Sequence, residues 1–416
     1  MDIDTEAAIP PLDTSDPALI PDPWPTFTAL RERDPFHWSK YGYWVVSRHE
    51  HVRDVLMNRT DFGTGDFAAN LRLFYGPDFD VLANPAYRWL SEVFIMQDPP
   101  QHTRIRNLVV GSLTAKRVRA MEPRIREIAR ELTDGFQARG HADLITEFAY
   151  KFPVMVICDL MGIDYEAPEM ADLIAAIPEA FTVFEARILS PAELALANRR
   201  ILELEAFFEA QFADRLANPR DDLLTALART GQEPDGLSVH EAITVTIGLF
   251  GAGFETTANI IGNGLHALHA HPEQWARLVA EPGGMASGAC EEALRHQSSL
   301  IATYRTALAD TTIGDHPVRA GQRVLTLIGA ANRDPRKFAD PDAFDIARGD
   351  AGHLTFGGGI HFCVGAELAR IEARVAFEHL ARTLPHMRVD SANAHWRENF
   401  LFRGLMSLKA TWDAPA

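Results

Sequence analysis

The stretch AITVTIGLFGAGFETTANIIGNGLHALHAH, residues 242–271, constrains the fold more than any other part of the chain. Ser238 and Glu241 precede it at capping-box spacing, so a helix is expected to open there. Carried to His269, that helix would be about 48 Å long at 1.5 Å per residue. It is apolar on nearly every side, and such a helix must cross the middle of a molecule. Its uncharged run, Ala242–Phe254, ends at Glu255. A membrane span needs about 20 apolar residues, so this run reads as a buried core helix and no membrane span is expected.

Around this helix the chain offers no linker, repeat or low-complexity tract. Its 416 residues are expected to form one mainly α domain with small β-sheets over 23–416, behind an extended, Pro-rich arm at 1–22. Lys and Arg number 40 against 57 Asp and Glu, a net charge of −17. That balance argues against nucleic acid as a partner, because phosphate neutralisation needs excess cations. The three cysteines, Cys158, Cys290 and Cys363, cannot build a disulfide framework. With an acidic N-terminus that lacks a signal-peptide pattern, they point to the cytoplasm.

Two short β-like runs, Phe36–Trp38 and Tyr43–Ser47, flank a Lys-Tyr-Gly turn. Ser47 and Glu50 fit a capping box that would open a helix over His49–Met57. Residues 62–96 read as an irregular aromatic loop, and 102–270 as almost wholly helical. Within the latter, Ile125, Ile128, Leu132 and Phe136 mark one helix face, with Gly140 as its stop. Residues 301–330 return to β-like runs.

Four constellations carry chemistry. Three glycines, Gly357–Gly359, precede Cys363 and a helical segment; they would let a flat ligand approach the main chain, and a thiolate at a helix start is stabilised by its N–H groups. Glu292 and Arg295 share a helix face, as an ion pair would. Ala252 and Gly253 leave room beside the long helix. The acid Glu255 and hydroxyl Thr256 follow in apolar surroundings; the alternative is that Glu255 turns to water or pairs with a buried arginine. His102 and Arg106 lie one turn apart, able to reach a single anionic group or else forming an exposed basic face.

Together these residues resemble the cytochrome P-450 family of haem-thiolate monooxygenases. FGGGIHFCVG matches the family's cysteine loop, EALR its E-x-x-R helix, AGFETT its oxygen-activating helix, and DPPQHTRIR the helix near the haem propionates; ANRDP and FDIAR resemble its meander. One departure is HQSSLIATYR after EALR, where the family commonly carries Pro-Val. The resemblance implies a single-domain P-450 fold with its long central helix crossing over haem b. Cys363 would be the axial thiolate and metal ligand. His102, Arg106, Arg305 and His361 would hold the propionates. Glu292 and Arg295 would be structural, with Arg348 as third partner. Thr256 and Glu255 would be catalytic, the hydroxyl hydrogen-bonding dioxygen and the acid delivering protons.

It further implies a largely hydrophobic small-molecule substrate, O₂, and electrons from a separate ferredoxin-type donor and its NAD(P)H reductase. The pocket would draw on the 62–96 and 166–195 segments, Ala252, residues 300–303 and Phe400–Phe402. Residues 101–130 carry eight basic and two acidic side chains, a local +6 that would steer an acidic redox partner. Oxidative coupling or desaturation on the same haem is the alternative activity. A non-catalytic haem-thiolate ligand-binding protein is the alternative class.

Overall fold

Ser238 Oγ accepts from the Glu241 N–H at 3.2 Å, and the Glu241 carboxylate accepts from the Ser238 N–H at 2.9 Å. The box opens a single helix, Val239–Ala270, of 32 residues. In the computed structural model, which describes residues 9–185, 187–349 and 352–413, this helix packs most extensively against four others. They are Lys151–Met161, Pro191–Ala217, Pro282–His296 and Ala366–Thr383. Phe250 and Phe254 are fully buried within that cage, each contributing roughly 1.5–3 kcal/mol by leaving water. Among the described residues no helix is long and apolar enough to cross a membrane.

The β-rich part is a five-stranded sheet. Its edge hairpin pairs Phe36–Trp38 with Trp44–Val46. The second of these strands runs parallel to Arg323–Thr326, which pairs antiparallel with Thr303–Ala307. Phe62–Gly63 closes the other edge. The polypeptide beyond Arg397 folds back on this region: Leu300 bridges Phe402, and Ile301 N–H donates to the Leu401 carbonyl at 3.1 Å. Residues 9–22 include a short 3₁₀ helix, Pro17–Leu19, and bury Leu12 and Leu19 against the same layer.

Three local expectations change. Residues 62–96 are not an irregular loop; they hold helices Phe67–Tyr75 and Pro85–Glu92 and a 3₁₀ turn, Phe94–Met96. Their aromatic faces bury into the core, which an isolated reading of Phe and Tyr content cannot register. The helix His49–Met57 forms as expected, but its N-cap is Arg48 and Ser47 plays no capping part. The cap comes from 285 residues away, where the Asp334 carboxylate accepts from the His49 N–H at 2.8 Å. The helix bearing Ile125 and Ile128 ends at Asp134, before Phe136; Gly140 instead closes a following 3₁₀ turn at φ +73°.

Candidate active site

Cys363 sits three residues before the helix Ala366–Thr383, in a tight loop closed by its own N–H donating to the Phe356 carbonyl at 3.0 Å. Two of the glycines have positive φ, Gly357 at +71° and Gly359 at +62°. Much of their freedom is spent on the protein itself. A Cβ on Gly359 would lie 2.5 Å from the Leu56 carbonyl oxygen, and the Gly359 N–H donates to Met57 Sδ at 3.2 Å. Burial pushes the Cys363 thiol up; the Gly365 N–H, Arg106 and Arg370 draw it back down. Cys158 and Cys290 lie fully buried in the core, where burial pushes each thiol up to about 12. Only Cys363, of the three, meets cations at a helix start.

Four cationic or cationisable side chains converge beside this loop. His102 and Arg106 project from the helix Gln101–Ser112, Arg305 from its strand and His361 from the loop. The two imidazoles meet edge to face at 4.4 Å between centroids. None of their four ring nitrogens has a hydrogen-bond partner, although all are buried. Arg305, 8% exposed, donates only to the Tyr304 carbonyl, at 2.7 Å. Arg106 donates to the Phe362 carbonyl at 2.6 Å. Burial lowers the pKa of His102, assisted by Arg106, and lowers that of His361 to about 2, assisted by Arg305, His102 and Arg106. Asp98 is the nearby acid, and its carboxylate already accepts from the Thr64 and Gly65 N–H groups at 2.9 and 3.0 Å. Such a cluster is incomplete without an anion.

On the long helix, Thr256 is half-buried and its hydroxyl donates to the Ala252 carbonyl at 2.8 Å. Ala252 itself is exposed in the middle of that otherwise buried helix. Gly253 leaves no free room, since a Cβ there would meet Ile157 at 3.0 Å; Gly251 likewise admits the Phe181 ring. Glu255 is 2% exposed and pairs with Arg397 at 3.0 Å, with burial raising its pKa against the pull of that arginine. The sequence contained both residues, but nothing in it joined positions 142 apart. Aromatic rings crowd nearby: Trp89 stacks on Phe181 at 5.3 Å, and Phe184 meets Phe402 at 5.8 Å.

Glu292 and Arg295 are not a surface pair. Arg295 is fully buried and both its nitrogens facing Glu292 donate to that carboxylate, at 2.7 and 2.8 Å. Its remaining N–H groups go to the carbonyls of Asn332, Pro341 and Ala343. Arg348 joins as third partner, 3.2 Å from Glu292. The basic stretch 101–130 proves largely neutralised. Arg104 pairs with Glu241, Arg117 with Asp221, Arg119 with Glu367, Arg124 with Asp159, Arg126 with Glu122 and Arg130 with Glu127. Its +6 therefore overstates the field it presents.

The cytochrome P450 family model matches residues 38–283 and 285–394. The chain is a cytochrome P450. It is 35% identical over 402 residues to cytochrome P450 monooxygenase PikC of Streptomyces venezuelae, covering 94% of this chain and 91% of that one. It is 36% identical to the mycinamicin IV hydroxylase/epoxidase of Micromonospora griseorubida, over 92% of this chain and 94% of that one. The crystal structure of CalO2 superposes with a TM-score of 0.87 at 29% identity, covering 98% of this chain and all of that one. The P450 is thus an oxidoreductase of the monooxygenase class with a cysteine-ligated haem.

The residues present fit that group. A dianionic edge would complete the orphaned His102 and His361 imidazoles and the nearby Arg305, and Cys363 is the thiol placed beside them. Two residues of this neighbourhood had no signal in the sequence. Arg370 bends back over the Phe356 ring at 4.5 Å and influences Cys363; Arg397 holds Glu255.

Proposed function

We propose that this P450 inserts one atom of O₂ into a largely hydrophobic small molecule, by hydroxylation or epoxidation, in the cytoplasm. The observation that carries the reading is the buried cationic cluster with orphaned imidazole nitrogens beside Cys363, on a chain whose relatives are monooxygenases. Haem b would be held by Cys363 Sγ, with His102, Arg106, Arg305 and His361 binding its propionates by charge-assisted hydrogen bonds. When bound, the haem supplies the redox chemistry that activates dioxygen.

The chain's own residues then have three tasks. The rings of Phe184 and Phe402, backed by the buried Trp89 and Phe181, exclude water and orient an apolar substrate. Thr256 turns its hydroxyl from the Ala252 carbonyl towards dioxygen and fixes the atom to be protonated. Glu255, raised in pKa by burial, holds a proton and passes it on, while Arg397 holds it to its position between turnovers. Electrons come from a separate ferredoxin-type protein. Its docking face centres on Phe362, which is 43% exposed, and on Lys116, the one basic side chain of 101–130 besides Arg106 without an acidic partner among the described residues.

The test is the carbon monoxide spectrum of the reduced protein together with Thr256→Ala. Thiolate ligation should show in the first, and Cys363→His should convert it to an imidazole-type spectrum. In the second, product per reducing equivalent should fall severalfold, with hydrogen peroxide making up the balance. A wild-type imidazole-type spectrum, or unchanged coupling in Thr256→Ala, would reject the respective assignment.

A further inference from the structure

Strand register places Tyr43, Arg323 and Tyr304 on three neighbouring strands, at a region no part of the proposed oxygenase machinery uses. Trp44 pairs with Val324, so Tyr43 lies alongside Arg323; Tyr304 pairs with Leu325 and Thr306 with Arg323. The Arg323 guanidinium is clamped between two rings, 4.1 Å from the Tyr304 centroid and 5.3 Å from that of Phe74. Tyr43 meets Tyr304 edge to face at 5.4 Å. Among the described residues the guanidinium has no hydrogen bond and no ion pair. Both phenol oxygens are buried and turned towards one another, with Thr14 beside Tyr43, yet neither makes a well-formed hydrogen bond, and Tyr43 is 1% exposed. Arg323 itself is half-buried. Glu185, the acid that bears on Tyr304, accepts from the Phe400 and Leu401 N–H groups through one oxygen, at 3.0 and 3.4 Å.

A desolvated guanidinium costs free energy unless an anion meets it, and two poorly bonded phenols add to that cost. Planar bidentate donation suits a carboxylate, and the flanking rings suit an alkyl chain beside it. We infer that Tyr43, Arg323 and Tyr304 form a binding site for the carboxylate of an amphipathic carboxylic acid, its chain lying against Phe74. Arg305, at the haem-side cluster, is the next residue after Tyr304 on the same strand, so the head-group site and the reaction site share one rigid element. Calling that ligand a substrate rests on the oxygenase reading; the binding does not.

Calorimetric titration of the haem-loaded protein with decanoate and with 1-decanol tests the site. Decanoate should bind about tenfold tighter than the alcohol, and Arg323→Gln should erase that preference while leaving alcohol affinity unchanged. Arg323→Lys should restore part of it, and Tyr43→Phe or Tyr304→Phe should each weaken decanoate by about threefold. Equal binding of acid and alcohol by the wild type, no binding of decanoate, or a preference that survives Arg323→Gln would overturn the site. If Arg323→Gln does not fold, the Tyr43→Phe/Tyr304→Phe double variant decides, and an undiminished preference overturns it. Turnover is never read, so failure of the oxygenase assignment would leave this result standing, and the reverse.

Discussion

Two buried charged clusters lie in this P450, and they are built on opposite principles. Around Arg295 every guanidinium N–H has an acceptor, and Glu292 gains a further partner in Arg348 and another in the Asp345 N–H. Around His361 the cations outnumber the acids and the ring nitrogens face no acceptor at all. A satisfied buried network is part of the protein's own scaffold, while an unsatisfied one of a single sign marks where a ligand of the other sign belongs. Hydrogen-bond completeness therefore separates structural from binding roles more sharply than burial or charge does.

The largest expected effect attacks the satisfied cluster. Glu292→Ala leaves Arg295 buried without its carboxylate, and should cost about 3–5 kcal/mol in urea unfolding or prevent accumulation of folded protein. A loss below about 1 kcal/mol would mean the network is not the keystone its geometry describes. Next comes the open cluster, where the sign should differ between bound and unbound forms. Arg305→Gln should speed transfer of haem to an acceptor protein by about tenfold or more, since one charge-assisted hydrogen bond is lost. The polypeptide itself should unfold no more easily, because an unmatched buried charge has been removed. A variant that unfolds easily yet keeps its haem would erase the contrast.

The smallest effect falls on Glu185, which lies between the two patterns. One carboxylate oxygen accepts from Phe400 and Leu401, and the other is orphaned. Burial raises its pKa from 4.5 to about 7. A carboxyl whose folded pKa lies above its unfolded value favours the fold most when protonated, so stability should decline as pH rises from 4.5 towards 7. Glu185→Gln should flatten that limb, read as Tm against pH. An unchanged slope would assign the limb to other groups.

Much of the candidate site was legible before the fold. Cys363, its glycines, the His102–Arg106 pair and the Glu255–Thr256 pair are local patterns, and local spacing on a helix or loop survives into the structure. What was hidden is the long-range pairing. Arg397 with Glu255, Asp334 on the His49 N–H and Phe181 against Gly251 each join segments with no common period or motif. The basic stretch at 101–130 shows the same limit from the other side: its charge was counted along the chain, while its partners, such as Asp221 and Glu367, arrive from elsewhere.

The sequence by itself determined that a long apolar helix would form, that it would be buried, and that one cysteine would stand at a helix start after three glycines. These follow from periodicity, caps and backbone freedom, which act over a few residues. Only the tertiary structure decided which charges are neutralised and which stay open, because that depends on what each buried group meets across the core, and a polar group's worth is set by its partner rather than by its place in the chain.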